Sequence, residues 1–184
     1  MIFTGSGEGW VRRSIEDLLQ ITTMALATAG ENGEPHSASV YFAADEQLNL
    51  HFFSDPGSQH GVDLARDPRA AVAFYPESQR WQDIRGLQMR GEAFPTGRGP
   101  DWERAWETYV AKFPFVTELK HVVAQNQFYV FVPHWIRLVD NRRGFGYKVE
   151  WVRNEETGPE DAGLLWQRVR PEGGAPVNSG GEDA

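Results

Sequence analysis

The sequence of 184 residues contains no cysteine, which excludes disulfide bonds, thiolate nucleophiles, zinc–thiolate sites and cysteine-bound iron–sulfur clusters. Its five histidines stand at positions 36, 51, 60, 121 and 134. They form no His-Glu-x-x-His motif and no pair on one helical face, so no metal site is expected. The sequence also lacks the Gly-x-Ser-x-Gly motif that would indicate a serine hydrolase.

No apolar run approaches the roughly 20 residues that cross a bilayer, and the first residues contain neither a basic nor an apolar signal region. We therefore expect a cytoplasmic protein that does not associate with membranes. The net charge of −8 argues against nucleic-acid binding, which usually needs a clustered basic face. A local pocket for a small anionic ligand is compatible with this charge.

Aromatic residues, by contrast, are abundant: they make up 12% of the chain and include seven tryptophans. One small core requires less aromatic surface, so we expect part of it to line a ligand site or a subunit interface. The length fits one globular domain, which we place at residues 1–170. Residues 171–184 are rich in Gly, Pro and acidic residues, which predicts a flexible tail without a core of its own.

The periodicity of apolar residues predicts a mainly β protein with a few flanking helices. The predicted strands cover residues 21–28, 36–42, 48–54, 70–75, 84–93, 128–132, 135–139 and 146–152, the last being the final strand. The first predicted helix begins with an N-cap at Ser14 and ends at residue 20. Three more helices are predicted over residues 62–66, 100–113 and 116–123. Asn32-Gly33 predicts a hairpin, so the first three strands should form an antiparallel meander.

Three features of these elements bear on packing. Gly86 and Gly91 inside a strand indicate a bulge, a bend or a close approach to the backbone. Pro133 is expected to interrupt its strand. The segment 128–132 is apolar on both faces, which predicts burial in a barrel or beneath a partner chain.

One face of the helix 100–113 carries large apolar side chains, and we assign this face to packing rather than to ligand stacking. The residues on it are Trp102, Trp106, Tyr109, Val110 and Phe113.

The candidate functional stretch runs from the strand 48–54 through a loop with Pro and Gly into the helix 62–66. Backbone N–H groups at a helix N-terminus lack intrahelical partners and can bind anions. Ser54, Ser58 and His60 could therefore surround a phosphate. The alternative interpretation is an ordinary strand-to-helix connection that Ser58 caps.

The residues from Phe52 to Phe74, F-F-S-D-P-G-S-Q-H-G-V-D-L-A-R-D-P-R-A-A-V-A-F, resemble the corresponding stretch of the pyridoxamine 5′-phosphate oxidase-like flavin split barrels. Three further pieces resemble a small branch of that superfamily: I-R-G-L-Q-M-R-G-E at 84–92, the helix end from Tyr109 to Pro114, and D-N-R-R-G-F-G-Y-K at 140–148. The resemblance implies a six-stranded antiparallel Greek-key split barrel. Such proteins are usually homodimers that hold FMN in the cleft between the subunits.

At the phosphate loop of those flavin proteins, Ser54 and Ser58 match the hydroxyl positions and Gly57 matches the glycine. Gln59 and His60 stand where the oxidases themselves carry Arg and Lys. The resemblance therefore implies a phosphate site whose fixed positive charges are missing from the loop.

The preceding strand departs in the same way, because Ser37 and Phe42 replace the basic residues of an R-x-V-L-L-K motif. The resemblance therefore does not extend to the residues that form pyridoxal phosphate. The cations best placed to compensate are Arg85, Arg90 and Lys148.

The resemblance implies an FMN-dependent oxidoreductase with a small-molecule substrate. The alternative is a dimeric split barrel that has lost FMN and binds another ligand, such as haem or a deazaflavin, or a protein partner. No catalytic acid or base is identified. The residues expected to contact the cofactor are Ser39, Val40, Tyr41, Phe52, Phe53, Ser54, Ser58, Gln59, His60, Arg85, Gln88 and Lys148.

Overall fold

A computed structural model of the chain describes residues 9–154 and 166–169. The strands in these residues are β1 (Thr23–Ala29), β2 (Pro35–Ala44), β3 (Leu50–Ser54), β4 (Arg69–Phe74), β5 (Arg85–Pro95), β6 (Gln127–Asp140), β7 (Lys148–Arg153) and β8 (Trp166–Val169). The α-helices are α1 (Gly9–Leu18), α2 (Gln59–Arg66), α3 (Pro100–Lys112) and α4 (Lys120–Gln125). The tail predicted at 171–184 lies outside the described residues. Among the helices of the described ranges, none is long and apolar enough to cross a membrane.

The strands form one antiparallel sheet in the order β3-β2-β1-β4-β5-β6-β7-β8. A further pairing between β3 and β6 joins the sheet to itself, so the strands from β1 to β6 close into a barrel. The chain reaches β4 from the non-adjacent β3 through α2, which is a crossover of the Greek-key kind. The predicted mainly β fold with a six-stranded antiparallel barrel is confirmed, and β7 and β8 continue the sheet beyond it.

Alternating side chains fill the inside of the barrel. Met24 and Leu26 of β1 are buried, whereas Ala27 on the opposite face of the strand is exposed. Phe42 and Phe74 meet inside the barrel with ring centroids 4.6 Å apart. Because successive residues of a strand point to opposite faces of the sheet, this alternation determines which face forms the core.

A bulge accommodates a proline within the long strand β6. Arg90 pairs with Trp135 while Gly91 pairs with Pro133, so His134 is the extra residue on β6. A Cβ atom at Gly91 would overlap the carbonyl oxygen of Val132, and only glycine allows this close approach. The structural role expected for Gly91 is confirmed. The expected break at Pro133 is wrong, because a bulge lets the strand continue past a residue that lacks a backbone N–H.

The helix α3 packs on the outside of the barrel, over β2, β3 and β6. Its Tyr109 lies beside the ring of Phe128 on β6, with centroids 5.5 Å apart, and Trp102 and Trp106 make edge contacts with the same ring. The structure confirms that this face of the helix packs on the barrel. Phe128 is therefore covered by its own chain, and the two-sided apolar character of β6 does not require a partner subunit.

The helix α1 begins before the residue predicted to cap it. Val11, Ser14 and Ile15 all lie on its buried side, so Ser14 is an interior residue rather than the N-cap. The apolar stripe that packs this helix on the barrel starts one turn earlier than the predicted boundary.

The turn before β3 includes two residues that were predicted to be in the strand. Leu48 has a φ of 64°, which an extended strand does not allow. The Asp45 carboxylate accepts a hydrogen bond from the backbone N–H of Asn49 at 2.9 Å and holds the turn.

At the other end of the chain, β8 lies beyond the strand that was predicted to be the last.

The packing of α3 predicts a large stability loss for Phe128→Ala. Phe128 is fully buried, and truncation of such a side chain costs about 3 to 5 kcal/mol in the free energy of unfolding. Phe115→Ala is the matched control, because Phe115 is 52% exposed and should lose much less. Urea unfolding of both variants measures the difference, and equal losses would contradict the packing described for α3.

Candidate functional site

The inside of the barrel becomes polar at one end. Thr28 of β1 and His36 of β2 are paired neighbours, and they occupy the inward-facing positions that follow the apolar residues of the core. Ser54 ends β3, and α2 begins five residues later. Because α2 packs against β1 and β2, its first turn lies over these polar side chains.

The loop between β3 and α2 is held by its own hydrogen bonds. The Ser58 hydroxyl donates to the carbonyl of Asp55 at 2.6 Å and accepts from the N–H of Gly61 at 3.3 Å, which makes Ser58 the N-cap of α2. The Asp55 carboxylate accepts from the N–H of Gly57 at 2.8 Å. A Cβ atom at Gly61 would lie 2.6 Å from the carbonyl oxygen of Pro56, so the tight turn needs a glycine there.

His60 joins the two serines of the loop. Its Nε2 lies 2.6 Å from the Ser54 hydroxyl and 3.1 Å from the Ser58 hydroxyl, and the residue is only 7% exposed. The imidazole of His36 lies nearly parallel to that of His60, with an interplanar angle of 11° and centroids 6.3 Å apart. We call Ser54, Ser58, His60 and His36 the cradle.

The surroundings of His60 favour its neutral form. Burial lowers the pKa of His60 below its ordinary value of 6.5, and the nearby His36 lowers it further. The carboxylates of Asp63 and Asp55 act in the opposite direction without cancelling the shift. His60 therefore acts at neutral pH as a hydrogen-bonding group rather than as a positive charge.

A buried carboxylate fixes α2 to the barrel beside the cradle. Asp63 accepts hydrogen bonds from the Thr28 hydroxyl and from the Gln59 amide, each at 2.8 Å. The hydrogen bond from Thr28 is the largest contribution that lowers the pKa of Asp63, so this carboxylate stays ionised. The Gln59 side chain is consequently turned along α2 toward Asp63.

The residues predicted on β2 and β3 lie on three different surfaces. Ser39 and Tyr41 are exposed on the outer face of the sheet, whereas Val40 and Phe52 belong to the barrel core. Phe53 packs beside Phe128 beneath α3, at a ring distance of 4.9 Å.

Two of the predicted cations lie far from the cradle. Ser54 is near the end of β5 that contains Pro95, since both adjoin the start of β6, whereas Arg85 is at the other end of β5. The Arg85 guanidinium lies 3.5 Å from the Asp17 carboxylate. Lys148 starts β7 at the same distant end, next to Val139. The structure thus brings Ser54, Ser58 and His60 together without Arg85 or Lys148.

A groove of about 470 Å³ crosses the outer face of β1, β4, β5 and β6. The indole of Trp135 forms one wall, and the guanidiniums of Arg90 and Arg137 lie 4.2 Å and 4.7 Å from its centroid. Arg137 also donates to the carboxylate of Glu150 at 2.9 Å and to the Gln88 amide at 3.3 Å. Small side chains line the floor of the groove. They are Ala25, Ala27, Ala71 and Ala73.

The sequence predicted Gln88 as a cofactor contact and Arg90 as a cation for the phosphate, and it did not single out Trp135 or Arg137. The structure places all four in this groove rather than at the cradle. Trp135 pairs with Arg90 across β5 and β6, and Arg137 pairs with Gln88. The available signal was the alternation of Trp135 and Arg137 along a strand, which places both on one face. The bulge at His134 lies between these residues and the start of β6. It shifts the alternation, so the sequence alone does not tell whether that face is the inner or the outer one.

A second cavity, of about 560 Å³, lies between the loop after β5 and the start of β6. Trp102, Arg98 and Gln127 line it, and Gln127 is the strand partner of Ser54. The Gln127 amide donates to the carbonyl of Thr96 at 2.6 Å. Trp102 therefore both packs on Phe128 and borders an open cavity next to the cradle.

The closed six-stranded antiparallel barrel, with its strand, loop and helix around a candidate phosphate site, defines a split-barrel protein. The model of the family described as pyridoxamine 5′-phosphate oxidase matches residues 12–140, so the chain belongs to that family.

A curated relative, the pyridoxine/pyridoxamine 5′-phosphate oxidase of Mannheimia succiniciproducens, is 38% identical over 85 residues, which cover 45% of this chain and 40% of the relative. The chain thus matches about two fifths of the length of this relative.

Solved structures share the fold at low sequence identity. A haem-binding protein from Mycobacterium smegmatis is 19% identical with a TM-score of 0.63, over 76% of this chain and 55% of that one. A pyridoxamine 5′-phosphate oxidase-related FMN-binding protein from Nostoc punctiforme is 13% identical with a TM-score of 0.61, over 91% of this chain and 99% of that one. Proteins that share this fold thus include one described as haem-binding and one described as FMN-binding.

The neutral form of His60 predicts a titration below 6.5 in the free protein. His36→Gln should raise the pKa of His60, because it removes a neighbouring positive charge. NMR titration of the imidazole protons measures both effects. His134→Gln, on the distant bulge of β6, is the matched control and should leave the pKa of His60 unchanged. A His60 midpoint that does not respond to His36→Gln would contradict the coupling.

Proposed function

We propose that this protein binds FMN, with the FMN phosphate in the cradle at the N-terminus of α2. The observation that carries the proposal is the convergence of the Ser54 and Ser58 hydroxyls on Nε2 of His60, each within hydrogen-bonding distance of it. The Ser54 hydroxyl, the His60 imidazole and the backbone N–H groups at the start of α2 are donors of the kind that a phosphate accepts. The Ser58 hydroxyl, which donates to the carbonyl of Asp55, caps the Gly61 N–H of the same turn. Membership of the family supports the choice of FMN as the ligand.

The cradle offers hydrogen-bond donors to a phosphate, but its positive charge depends on whether His60 is protonated. Within residues 9–154 and 166–169, no Lys or Arg side chain is hydrogen-bonded to Ser54, Ser58 or His60. The carboxylates of Asp55 and Asp63 lie nearby and repel an anion. Proton uptake by His60 is therefore the local source of attraction for the phosphate.

Bound FMN would supply redox chemistry, and the protein would bind and orient the cofactor. We propose an oxidoreductase that acts on a small molecule. The groove beside Trp135 and the cavity beside Trp102 each offer an aromatic wall and polar groups of the kind found in small-molecule sites.

We further propose a homodimer that forms through the outer face of the barrel. The small side chains of the groove let another chain approach the sheet closely, and Tyr75, Trp81 and Phe145 are large apolar residues exposed on the same molecule. Exposed large apolar side chains of this kind are available to a subunit interface.

The proposed dimer predicts a mass of twice 20.8 kDa by light scattering at micromolar concentration. Ala27→Arg should dissociate it, because a bulky charge on the floor of the groove would be buried without a partner. Ala65→Arg on the exposed side of α2 is the matched control and should leave the mass unchanged. A wild-type mass of 20.8 kDa would overturn this part of the proposal.

The FMN proposal predicts that affinity rises as the pH falls from 8 toward 6. A bound phosphate favours the imidazolium and raises the pKa of His60 in the complex, so binding takes up a proton between the pKa of the free protein and that of the complex. Since burial lowers the pKa of free His60, this increase should continue below 6.5 until protonation of the phosphate itself opposes it, at about pH 6.

His60→Lys should bind FMN about tenfold more tightly at pH 8, because a hydrogen bond from a permanent cation contributes about 1.5 to 3 kcal/mol. Flavin fluorescence measures the dissociation constants, with riboflavin as the control ligand and His134→Lys as the control variant. Absence of FMN binding in every variant would overturn the proposal. A Soret band on addition of haem would then favour a haem-binding split barrel instead.

A further inference from the structure

We infer that Lys112 is a site of covalent acylation, at which a thioester transfers its acyl group to the side-chain amine and thereby loosens the attachment of α1 to the barrel. The site lies near the end of the barrel where β1 begins, opposite the cradle, and it is independent of the proposed FMN site. The chain has three lysines, at positions 112, 120 and 148, which allows their reactivities to be compared within one molecule.

Lys112, the last residue of α3, is tied to a distant part of the chain. Its Nζ donates hydrogen bonds to the carbonyls of Leu19 at 2.8 Å and Ile21 at 2.6 Å. Both carbonyls belong to the link between α1 and β1, outside either element. The same nitrogen lies 4.0 Å from the ring centroid of Phe42, a fully buried residue of the barrel core. The side chain therefore holds this link, and with it the end of α1, against the barrel.

This arrangement suits a neutral amine as well as a charged one. A neutral amine keeps two N–H groups, enough for the two carbonyls, and has a lone pair in place of the third proton. Loss of that proton therefore needs to break neither hydrogen bond. Burial lowers the pKa of Lys112 to about 8. At pH 8 about half of these side chains are consequently in the neutral, nucleophilic form.

The amine borders a groove through which a reagent can reach it. Lys112 lines a cavity of about 460 Å³ together with residues of α1, of the end of β2 and of the turn that follows β2. The charged groups on this lining are the carboxylates of Glu16 on α1 and of Asp45 and Glu46 in the turn, whereas α3 adds the neutral Thr108. Because these carboxylates repel anions, the donor is a thioester with an uncharged acyl end rather than an acyl phosphate.

The transfer replaces an amine by an amide. The lone pair of Nζ attacks the carbonyl carbon of the thioester, a C–N bond forms, and the C–S bond breaks. The sulfur leaves with the bonding electron pair as a thiolate, and the nitrogen loses one proton to solvent. The amide has one N–H where the amine had two, so it can donate to only one of the carbonyls of Leu19 and Ile21. It also adds an acyl group to a packed corner, and both changes weaken the attachment of α1.

Incubation of the full chain with S-acetyl-N-acetylcysteamine, an uncharged thioester, tests the reaction. Lys148 is exposed at the start of β7 and serves as the internal control. An ordinary lysine is less than about 1% neutral at pH 8, and the weaker basicity of Lys112 offsets part of its advantage, so Lys112 should react about tenfold faster than Lys148. Its rate should rise up to about pH 8 and level off above that value.

Peptide mass spectrometry measures the rate at each lysine. Equal rates at Lys112 and Lys148 would overturn the site. So would a rate at Lys112 that keeps rising in proportion to hydroxide above about pH 9, because an ordinary lysine behaves in that way.

Hydrogen exchange of the backbone amides of α1 tests the consequence. Acetylation of Lys112 should speed this exchange about tenfold, and Lys112→Met, which keeps an apolar stem but no donor, should act in the same direction. Lys112→Arg keeps donors for both carbonyls and should exchange as the wild type does, as should Lys148→Met. The acetylated wild-type chain folds before it reacts, so this measurement does not depend on the folding of a variant. Unchanged exchange in α1 after acetylation would overturn the role of Lys112 in holding the helix.

Discussion

The pairing of β3 with β6 is the constraint on which the rest of the structure depends. It closes the barrel by joining strands that are distant in the sequence, and without it β3 would be an unprotected edge. The same pairing sets Phe53 beside Phe128, which gives α3 its packing surface. It also sets Ser54 beside Gln127 and thereby fixes the end of the barrel that α2 covers.

Charge is distributed away from the candidate phosphate site. Arg85 pairs with Asp17 at the opposite end of β5, and Arg66 donates to a backbone carbonyl at the far end of α2. What remains at the cradle is two histidines, and burial disfavours the charged form of one of them, His60. An anion site of this composition depends on pH, because its attraction develops only when a ligand stabilises the protonated form.

The two outer faces of the barrel differ in how they are covered. The side chains of α3 bury the face that contains Phe128. The face of β1, β4, β5 and β6 has no such helix among the described residues, and it carries small side chains beside the Arg90–Trp135–Arg137 stack. Close approach to a sheet requires small residues, so this face suits a flat ligand or a second chain better than a packed helix.

The sequence by itself located β1 to β7, although not all of their bounds, and it offered Ser58 as a helix cap and Gly91 as a bulge, a bend or a close approach, because period-two alternation and turn chemistry are local properties. Together with the family resemblance, these were enough to predict the barrel and the loop. Only the tertiary structure decided that β6 continues through Pro133, that Arg85 lies far from the loop, and that His36 faces His60. Each of these depends on contacts between elements that are not neighbours in the sequence, and no local pattern specifies such contacts.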